Sequence, residues 1–305
     1  MKFKLDFPID RNPVINYKNP VMSIGSCFAE SVAQKLKDCR FEVLINPNGI
    51  IYNPISLADV FREMGKSILD SNVMHYEDLW HSWNHHGSFS SLTKEELVEK
   101  VQAAKASVNE FLKKKRGTVL VTFGSAHAYC YQGEIVANCH KVPAANFKKK
   151  LLTVSEIAAV WNKILSENSA LNFVFTVSPV RYKRDGLHQN NLSKSTLHLA
   201  IDELVRSNKN ACYFPAYEIV MDELRDYRFY GKDLVHVSDE AIDYVWSRFK
   251  DAMLNDASRR MVTECEKLNQ LMNHRIIHPD LASSKKLVQA RIEAETFFEK
   301  KYFTI

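Results

Sequence analysis

The chain alternates between short apolar runs closed by turn residues and longer stretches in which apolar residues recur every three or four positions. Pro20-Val21-Met22-Ser23-Ile24 is the first such run, and Gly25 ends it. From Phe28 the spacing becomes helical, with Phe28, Val32 and Leu36 at i, i+4 and i+8. The Gly25-Ser26-Cys27 segment is therefore predicted to be a strand-to-helix turn. Phe41-Glu42-Val43-Leu44-Ile45 reads as a second strand, closed by the turn Asn46-Pro47-Asn48-Gly49. A third strand is expected over 118–123, stopped by Gly124-Ser125, and a fourth over 172–177, ended by Ser178-Pro179. A short fifth covers 211–214, before Pro215. Helices are expected over 55–69, 94–115, 154–165 and 193–206, with Thr93 and Glu96 as a capping box for the second. Ser238 is a good N-cap, Asp239 and Glu240 suit the first turn of a helix dipole, and the chain reads as helical from there to its end, with a break near His278-Pro279.

Near-continuous apolar strands separated by helices predict an α/β fold, a three-layer α/β/α sandwich around a parallel sheet covered on both faces. The expected organisation is one sheet domain over 1–250, with a mostly helical insertion at about 54–116, followed by a helical C-terminal extension over 251–305. Inside the insertion, Trp80-His81-Ser82-Trp83-Asn84-His85-His86-Gly87-Ser88-Phe89 has no periodicity and reads as a loop or lid.

Composition narrows the function classes. Hydrophobic residues make up 46% and charged residues 25% of 305, as in ordinary globular proteins. The net charge of +5 is mild and the basic residues are dispersed, so nucleic acid is not expected as a partner. Runs such as Lys148-Lys149-Lys150 read as solvated helix ends or faces. No apolar stretch is long enough for a membrane helix, and the first residues lack a signal-peptide run, so a cytoplasmic protein without membrane contact is expected. The six cysteines form no C-x-x-C pair, so no zinc site or other cofactor is expected, and in a reducing compartment most would be buried thiols.

Ligands of open parallel sheets bind beyond the carboxyl ends of the strands. The Gly25-Ser26-Cys27 turn would set a hydroxyl and a thiol there, at a helix start whose N–H groups favour negative charge. A nucleophile and an oxyanion both need such a place. The plainer alternative is a turn that only caps the helix. In Asp233-Leu234-Val235-His236, Asp and His stand three apart just before a helix. There the imidazole can act as base while the carboxylate fixes its tautomer, although one D-x-x-H alone is a common chance pattern.

Gly25-Ser26-Cys27-Phe28-Ala29 resembles the name-giving motif of the GSCFA proteins, which are related to the SGNH (GDSL-like) hydrolases. The resemblance extends to Asn46-Pro47-Asn48-Gly49, Asn138-Cys139-His140-Lys141, Thr176-Val177-Ser178-Pro179-Val180-Arg181, Phe214-Pro215-Ala216-Tyr217-Glu218 and Asp233-Leu234-Val235-His236. It implies a flavodoxin-like sheet and acyl-ester chemistry, with Asp233 and His236 as the acid–base pair. Two departures stand out. The relatives read Gly-Asp-Ser, so strict register makes Cys27 the nucleophile, whereas a one-residue difference in the turn presents Ser26. A thiol at a helix start near a histidine is expected to have a depressed pKa. The relatives also supply an oxyanion donor from a Gly-x-Asn after the third strand, where this chain has Gly124-Ser125-Ala126-His127. The backbone N–H groups of Cys27 and Gly49, or the side chains of Asn48, Ser125 or His127, are the candidate replacements.

Trp80, Trp83, His85 and His86 are expected to form a substrate-facing lid, the aromatic rings stacking on a sugar or covering an acyl group. Arg181, after the fourth strand, is a candidate for an anionic substrate group. Arg225, Asp226 and Arg228 are expected to pair on the approach to Asp233. The expected function is an esterase or acyl hydrolase working through a covalent acyl-enzyme on a small-molecule or carbohydrate ester, acetylated carbohydrate being the natural guess. An acyltransferase uses the same residues. A saccharide- or metabolite-binding module without turnover, and a redox-responsive thiol protein, are the alternatives.

Overall fold

The apolar runs can be buried on both sides only at the centre of a layered fold, and that is where they lie. A computed structural model describes residues 5–63, 72–184 and 186–303. Its strands are β1 (Val21–Gly25), β2 (Val43–Ile45), β3 (Val73–Tyr76), β4 (Leu79–Ser82), β5 (Thr118–Phe123), β6 (His127–Tyr131), β7 (Glu134–Val136), β8 (Phe147–Leu151), β9 (Asn172–Val177) and β10 (Ala211–Tyr213). Its helices are α1 (Cys27–Asp38), α2 (Pro54–Arg62), α3 (Lys94–Lys113), α4 (Val154–Glu167), α5 (Leu187–Ser207), the short α6 (Ala216–Glu218), α7 (Asp239–Met253), α8 (Asp256–Asn273) and α9 (Ala282–Tyr302).

Five strands form one parallel sheet in the order β2-β1-β5-β9-β10. In chain order of these five strands that is 2-1-3-4-5, the flavodoxin-like doubly wound order. It reverses between β1 and β5 and opens a crevice at their carboxyl ends. The pleat sorts side chains between two layers. Val119, Val121 and Phe123 of β5 pack with Leu57 of α2, Phe111 of α3, Trp161 of α4 and Leu197 of α5. Leu120, with Val21 and Val174, faces Phe28, Val32 and Leu36 of α1 and Val245, Trp246 and Phe249 of α7. Burying each of these side chains contributes about 1.5–3 kcal/mol before entropy is counted. Thr153 and Glu156 close a complete capping box at the start of α4, and the buried Trp161 indole donates to the Pro54 carbonyl at 3.0 Å. The expected α/β sandwich is the observed architecture.

Several local expectations are corrected. In the 54–116 insertion the helices α2 and α3 flank a centre that is not an irregular loop, because the Trp80 region forms the antiparallel hairpin β3–β4, in register from Val73↔Ser82 to Tyr76↔Leu79. Of the helix expected over 55–69, α2 accounts for the part up to Arg62, and 64–69 lies outside the described residues. Residues 127–151 carry an unforeseen antiparallel sheet, β7-β6-β8. Lys148, Lys149 and Lys150 are exposed positions of β8 rather than a helix end. Helix α5 starts at Leu187, well ahead of the expected 193. Met261, Val262 and Cys265 of α8 and Phe298 of α9 share one hydrophobic cluster with α1 and α7. No helix among the described residues is long and apolar enough to cross a membrane.

Candidate active site

The end of β1 is built around Gly25. Its φ of +145° and its approach to Thr122 of β5 leave no room for a side chain, since a methyl there would overlap the Thr122 carbonyl. Its N–H donates to Asn46 Oδ1 at 2.8 Å, and its carbonyl accepts from Ile51 N–H at 3.1 Å. The next carbonyl along that segment, Tyr52, accepts from Gly124 and Ser125 N–H at 2.9 and 3.0 Å. Residues 51 and 52 are thus strung across the crevice between β1 and β5.

Ser26 is the N-cap of α1 with an extended backbone, but its side chain makes no capping bond. Its Oγ is buried and has no partner among the described residues, the whole residue being 1% exposed. Cys27, the first helical residue, is half-buried and carries a free thiol. The N–H groups of Phe28 and of Cys27 itself lie where they favour the thiolate. The expected pKa depression is nevertheless overturned. Burial dominates and pushes the thiol up, Glu30 adds to the rise, and the two N–H groups and Lys194 only partly oppose it.

Asp233 and His236 form a self-contained loop. Asp233 Oδ1 accepts from the N–H groups of Val235 and His236 at 2.9 and 3.0 Å, while Oδ2 lies 2.6 Å from His236 Nδ1. The His236 ring first, then the two N–H groups, hold the carboxyl well below the usual carboxylate range. Gly231 N–H donates to the His236 carbonyl at 2.7 Å, and Lys183 Nζ ties the Asp233 carbonyl to the segment after β9 at 3.3 Å. Both side chains are about half exposed. Lys35 of α1 pairs with Asp243 of α7, and farther along Cys39 shares a cleft with Trp246 and Lys250. The two helices therefore run parallel and start at the same edge of the sheet. Cys27 opens one, and His236 lies just before the Ser238 N-cap of the other. Among the described residues the His236 ring bonds only Asp233 and makes no hydrogen bond to Ser26 or Cys27.

The sequence reading missed Lys194. It sits on the buried stripe of α5 with Leu197, Ile201 and Leu204, and is 3% exposed. Its Nζ donates to the carbonyls of Gly124 and Ser178, both at 2.7 Å, at the carboxyl ends of β5 and β9. Burial pulls its pKa down to about 7, and the charge of Cys27 works against that fall. A lysine three residues before Leu197, in phase with the apolar stripe, was the available signal. Tyr52 also senses this corner, its hydroxyl pushed up by burial and then by the charges of Cys27 and Glu30.

The oxyanion candidates separate. Gly49 N–H is spent on the Asn46 carbonyl at 2.7 Å. Ser125 Oγ accepts from His127 N–H at 3.0 Å and meets Ser193 Oγ at 3.3 Å, so it is engaged within the fold, while His127 opens β6 and pairs with Leu151 of β8. Asn48 keeps a largely buried side-chain amide with no hydrogen bond among the described residues. Its carbonyl accepts from His86 N–H at 3.0 Å, which docks the hairpin region onto this turn.

The lid reading needs correction at two residues. Trp83 is a core side chain, stacked on Tyr131 at 4.6 Å, and His85 is buried, bonded to Ser82 Oγ at 2.8 Å and packed on Phe89. Neither ring faces solvent. Trp80 is partly exposed on β4 against His75, and His86 is partly exposed beside Gly49. Cys139 and His140 do not lie in a strand; His140 has a left-handed backbone and its Nε2 bonds the Ser82 carbonyl at 2.7 Å. Arg181 has a buried Nε with no partner among the described residues and lies where its charge reaches the Tyr217 and Tyr230 hydroxyls. Arg228 pairs with Asp226 at 2.8 Å, and Arg225 takes a left-handed turn ahead of them. Among the described residues no three His, Cys, Asp or Glu side chains converge as a metal site requires.

The model of the GSCFA family matches residues 20–249. No curated protein is significantly similar to the chain.

Proposed function

Because the chain belongs to the GSCFA family, whose match spans the whole parallel sheet, we propose that it is an acyl-ester hydrolase with Cys27 as nucleophile and His236–Asp233 as its acid–base pair. One observation carries this reading. A half-buried thiol opens α1 and a carboxylate-oriented imidazole stands just before α7, the two parallel helices starting at the sheet edge where the strand order reverses. The sealed hydroxyl of Ser26 favours Cys27 over Ser26 as the attacking atom.

In this mechanism the His236 ring turns toward the sulfur when substrate is present, and Nε2 takes the Sγ proton. The sulfur attacks the ester carbonyl carbon, and the carbonyl oxygen becomes the oxyanion. The helix-start N–H groups and the Asn48 amide, which makes no hydrogen bond among the described residues, are the proposed donors. Collapse expels the alkoxide, which leaves with the proton from His236. Water, deprotonated by the same ring, then releases the acyl group and restores the thiol. Transfer to an acceptor hydroxyl follows the same steps. An acetylated carbohydrate remains the proposed substrate class, now resting on Trp80 and His86 rather than on Trp83 and His85. A cytoplasmic location belongs to the same proposal, since all six cysteines are free thiols that suit a reducing compartment.

The test is covalent trapping with an activated acetyl ester and, separately, a fluorophosphonate, followed by peptide mapping. An acyl group on Cys27 that disappears in His236→Ala supports the reading. Ligand binding without turnover, indifferent to Cys27→Ala, would replace it with the binding-module reading.

A further inference from the structure

We propose that α9 pairs antiparallel with α9 of a second copy of this chain, making a two-fold dimer. The helix carries two apolar stripes, where a surface helix needs one. The inner stripe, with Ala294, Phe298 and Tyr302, packs into the cluster shared with α1, α7 and α8. Arg40 holds the same side, its Nη2 donating to both carboxylate oxygens of Glu295 at 2.9 and 3.3 Å. The outer stripe faces solvent. Val288 and Ile292 are 43% and 56% exposed. Leu281 at the N-cap is exposed too, and so is Phe303 at the C-cap, although its ring meets Tyr17 edge-on at 6.2 Å. Phe297, exposed on another side of the helix, is by contrast covered by Lys301 at 5.9 Å.

The order of residues along the outer stripe selects its occupant. Leu281, Lys285, Val288, Ile292, Thr296, Glu299 and Phe303 follow at spacings of 4, 3, 4, 4, 3 and 4, so they share one line of the helix. That series is symmetric about Ile292. Turned end for end against itself, it sets Leu281 against Phe303, Lys285 against Glu299, Val288 against Thr296, and Ile292 against its own copy. Each charge meets its opposite, and each apolar residue meets another or a threonine methyl. A two-fold interface requires such self-complementarity, because residue i meets j while j meets i. A parallel pair would instead oppose Lys285 to Lys285 and Glu299 to Glu299, which like-charge repulsion disfavours. Lys285 makes no ion pair among the described residues, so it gives up no partner on pairing. Cys27 opens α1 and Arg40 lies just past its other end. The pairing face therefore sits at the end of α1 away from the candidate active edge, and the dimer does not depend on the acyl chemistry.

The experiment is sedimentation equilibrium of the full chain for wild type, Ile292→Glu, Lys285→Glu and Glu299→Lys, and for an equal mixture of the last two. Wild type should be a reversible dimer. Ile292→Glu sets two carboxylates face to face on the two-fold axis and should weaken association by roughly a hundredfold. Lys285→Glu and Glu299→Lys each place like charges at both ends of the pair and should each weaken it by about tenfold. Mixed together, they restore opposite charges at both ends, and association should return to the wild-type value as a heterodimer. Loss in each single variant with recovery in the mixture identifies the antiparallel pair, since a parallel pair would lose nothing in the single variants. Circular dichroism checks folding. Ile292→Glu and Lys285→Glu change exposed positions, and they decide the question if Glu299→Lys does not fold. A wild type still monomeric at about 0.1 mM overturns the proposal. So does a dimer that Ile292→Glu leaves unchanged, or a mixture no more associated than its two components.

Discussion

Asp233 Oδ2 lies 2.6 Å from His236 Nδ1, while the other oxygen of the same carboxylate caps the two N–H groups that lead into His236. One side chain therefore fixes both the ring and the backbone that carries it. Nδ1 is left as the donor and Nε2 as the free basic nitrogen.

Asp233→Asn keeps the shape and loses the charge. Ester turnover is expected to fall by about a hundredfold or more, with KM changed far less, because the imidazolium loses its partner in the transition state. Steady-state kinetics of wild type and variant decide it. Turnover within a factor of two of wild type would remove His236 from the chemistry.

Ser26→Ala separates the two hydroxyl and thiol candidates. The Oγ is buried and unpartnered among the described residues, so its removal should leave stability unchanged or raise it by about 1 kcal/mol. Acylation at Cys27 should persist. Urea unfolding and peptide mapping read the two effects separately, and lost acylation in a folded variant would make Ser26 the nucleophile.

Gly25→Ala should destabilise by roughly 2–4 kcal/mol, since φ is +145° and the new methyl meets the Thr122 carbonyl. Gly133→Ala is the control. Its φ is also positive, at +94°, but nothing lies near the added carbon, so it should cost about 1 kcal/mol. Equal losses in chemical denaturation would show that conformation alone, and not the strand contact, sets the requirement.

His85 and His140 are both pulled down to about 4 by burial. The unfolded chain, with ordinary histidines, binds more protons than the folded one between pH 6.5 and 4. Folding stability should therefore fall as pH drops through that window, by up to about 1.4 kcal/mol per pH unit for each ring. Urea titrations at pH 7 and 4.5 measure the loss. His140→Gln should flatten the slope, and an unchanged slope would show that this ring is already protonated in the native state.

The parallel strands were legible because they are apolar runs with turn residues at their ends, and the Gly25 turn because a continuous apolar run gives way to a 3.6-residue period across it. The Asp233 loop was legible because its contacts are local, within three residues. The β6–β7–β8 sheet escaped notice because Tyr129 to Lys150 mixes aromatic, charged and turn residues with no clean alternation. The hairpin in the Trp80 stretch failed for the same reason. Trp83 and His85 looked like a lid because composition says nothing about which rings find partners, and here Tyr131, Phe89 and Ser82 enclose them.

The sequence by itself determined the parallel strands, the fold class and the identity of the turn and loop that hold Cys27 and His236, since each depends on residues close together in the chain. Only the tertiary structure decided that Ser26 is sealed, that the Cys27 thiol is pushed up rather than down, and that Lys194 lies at the carboxyl ends of β5 and β9. Those outcomes turn on desolvation and on charges brought together across 27 to 194, and neither is written in local pattern.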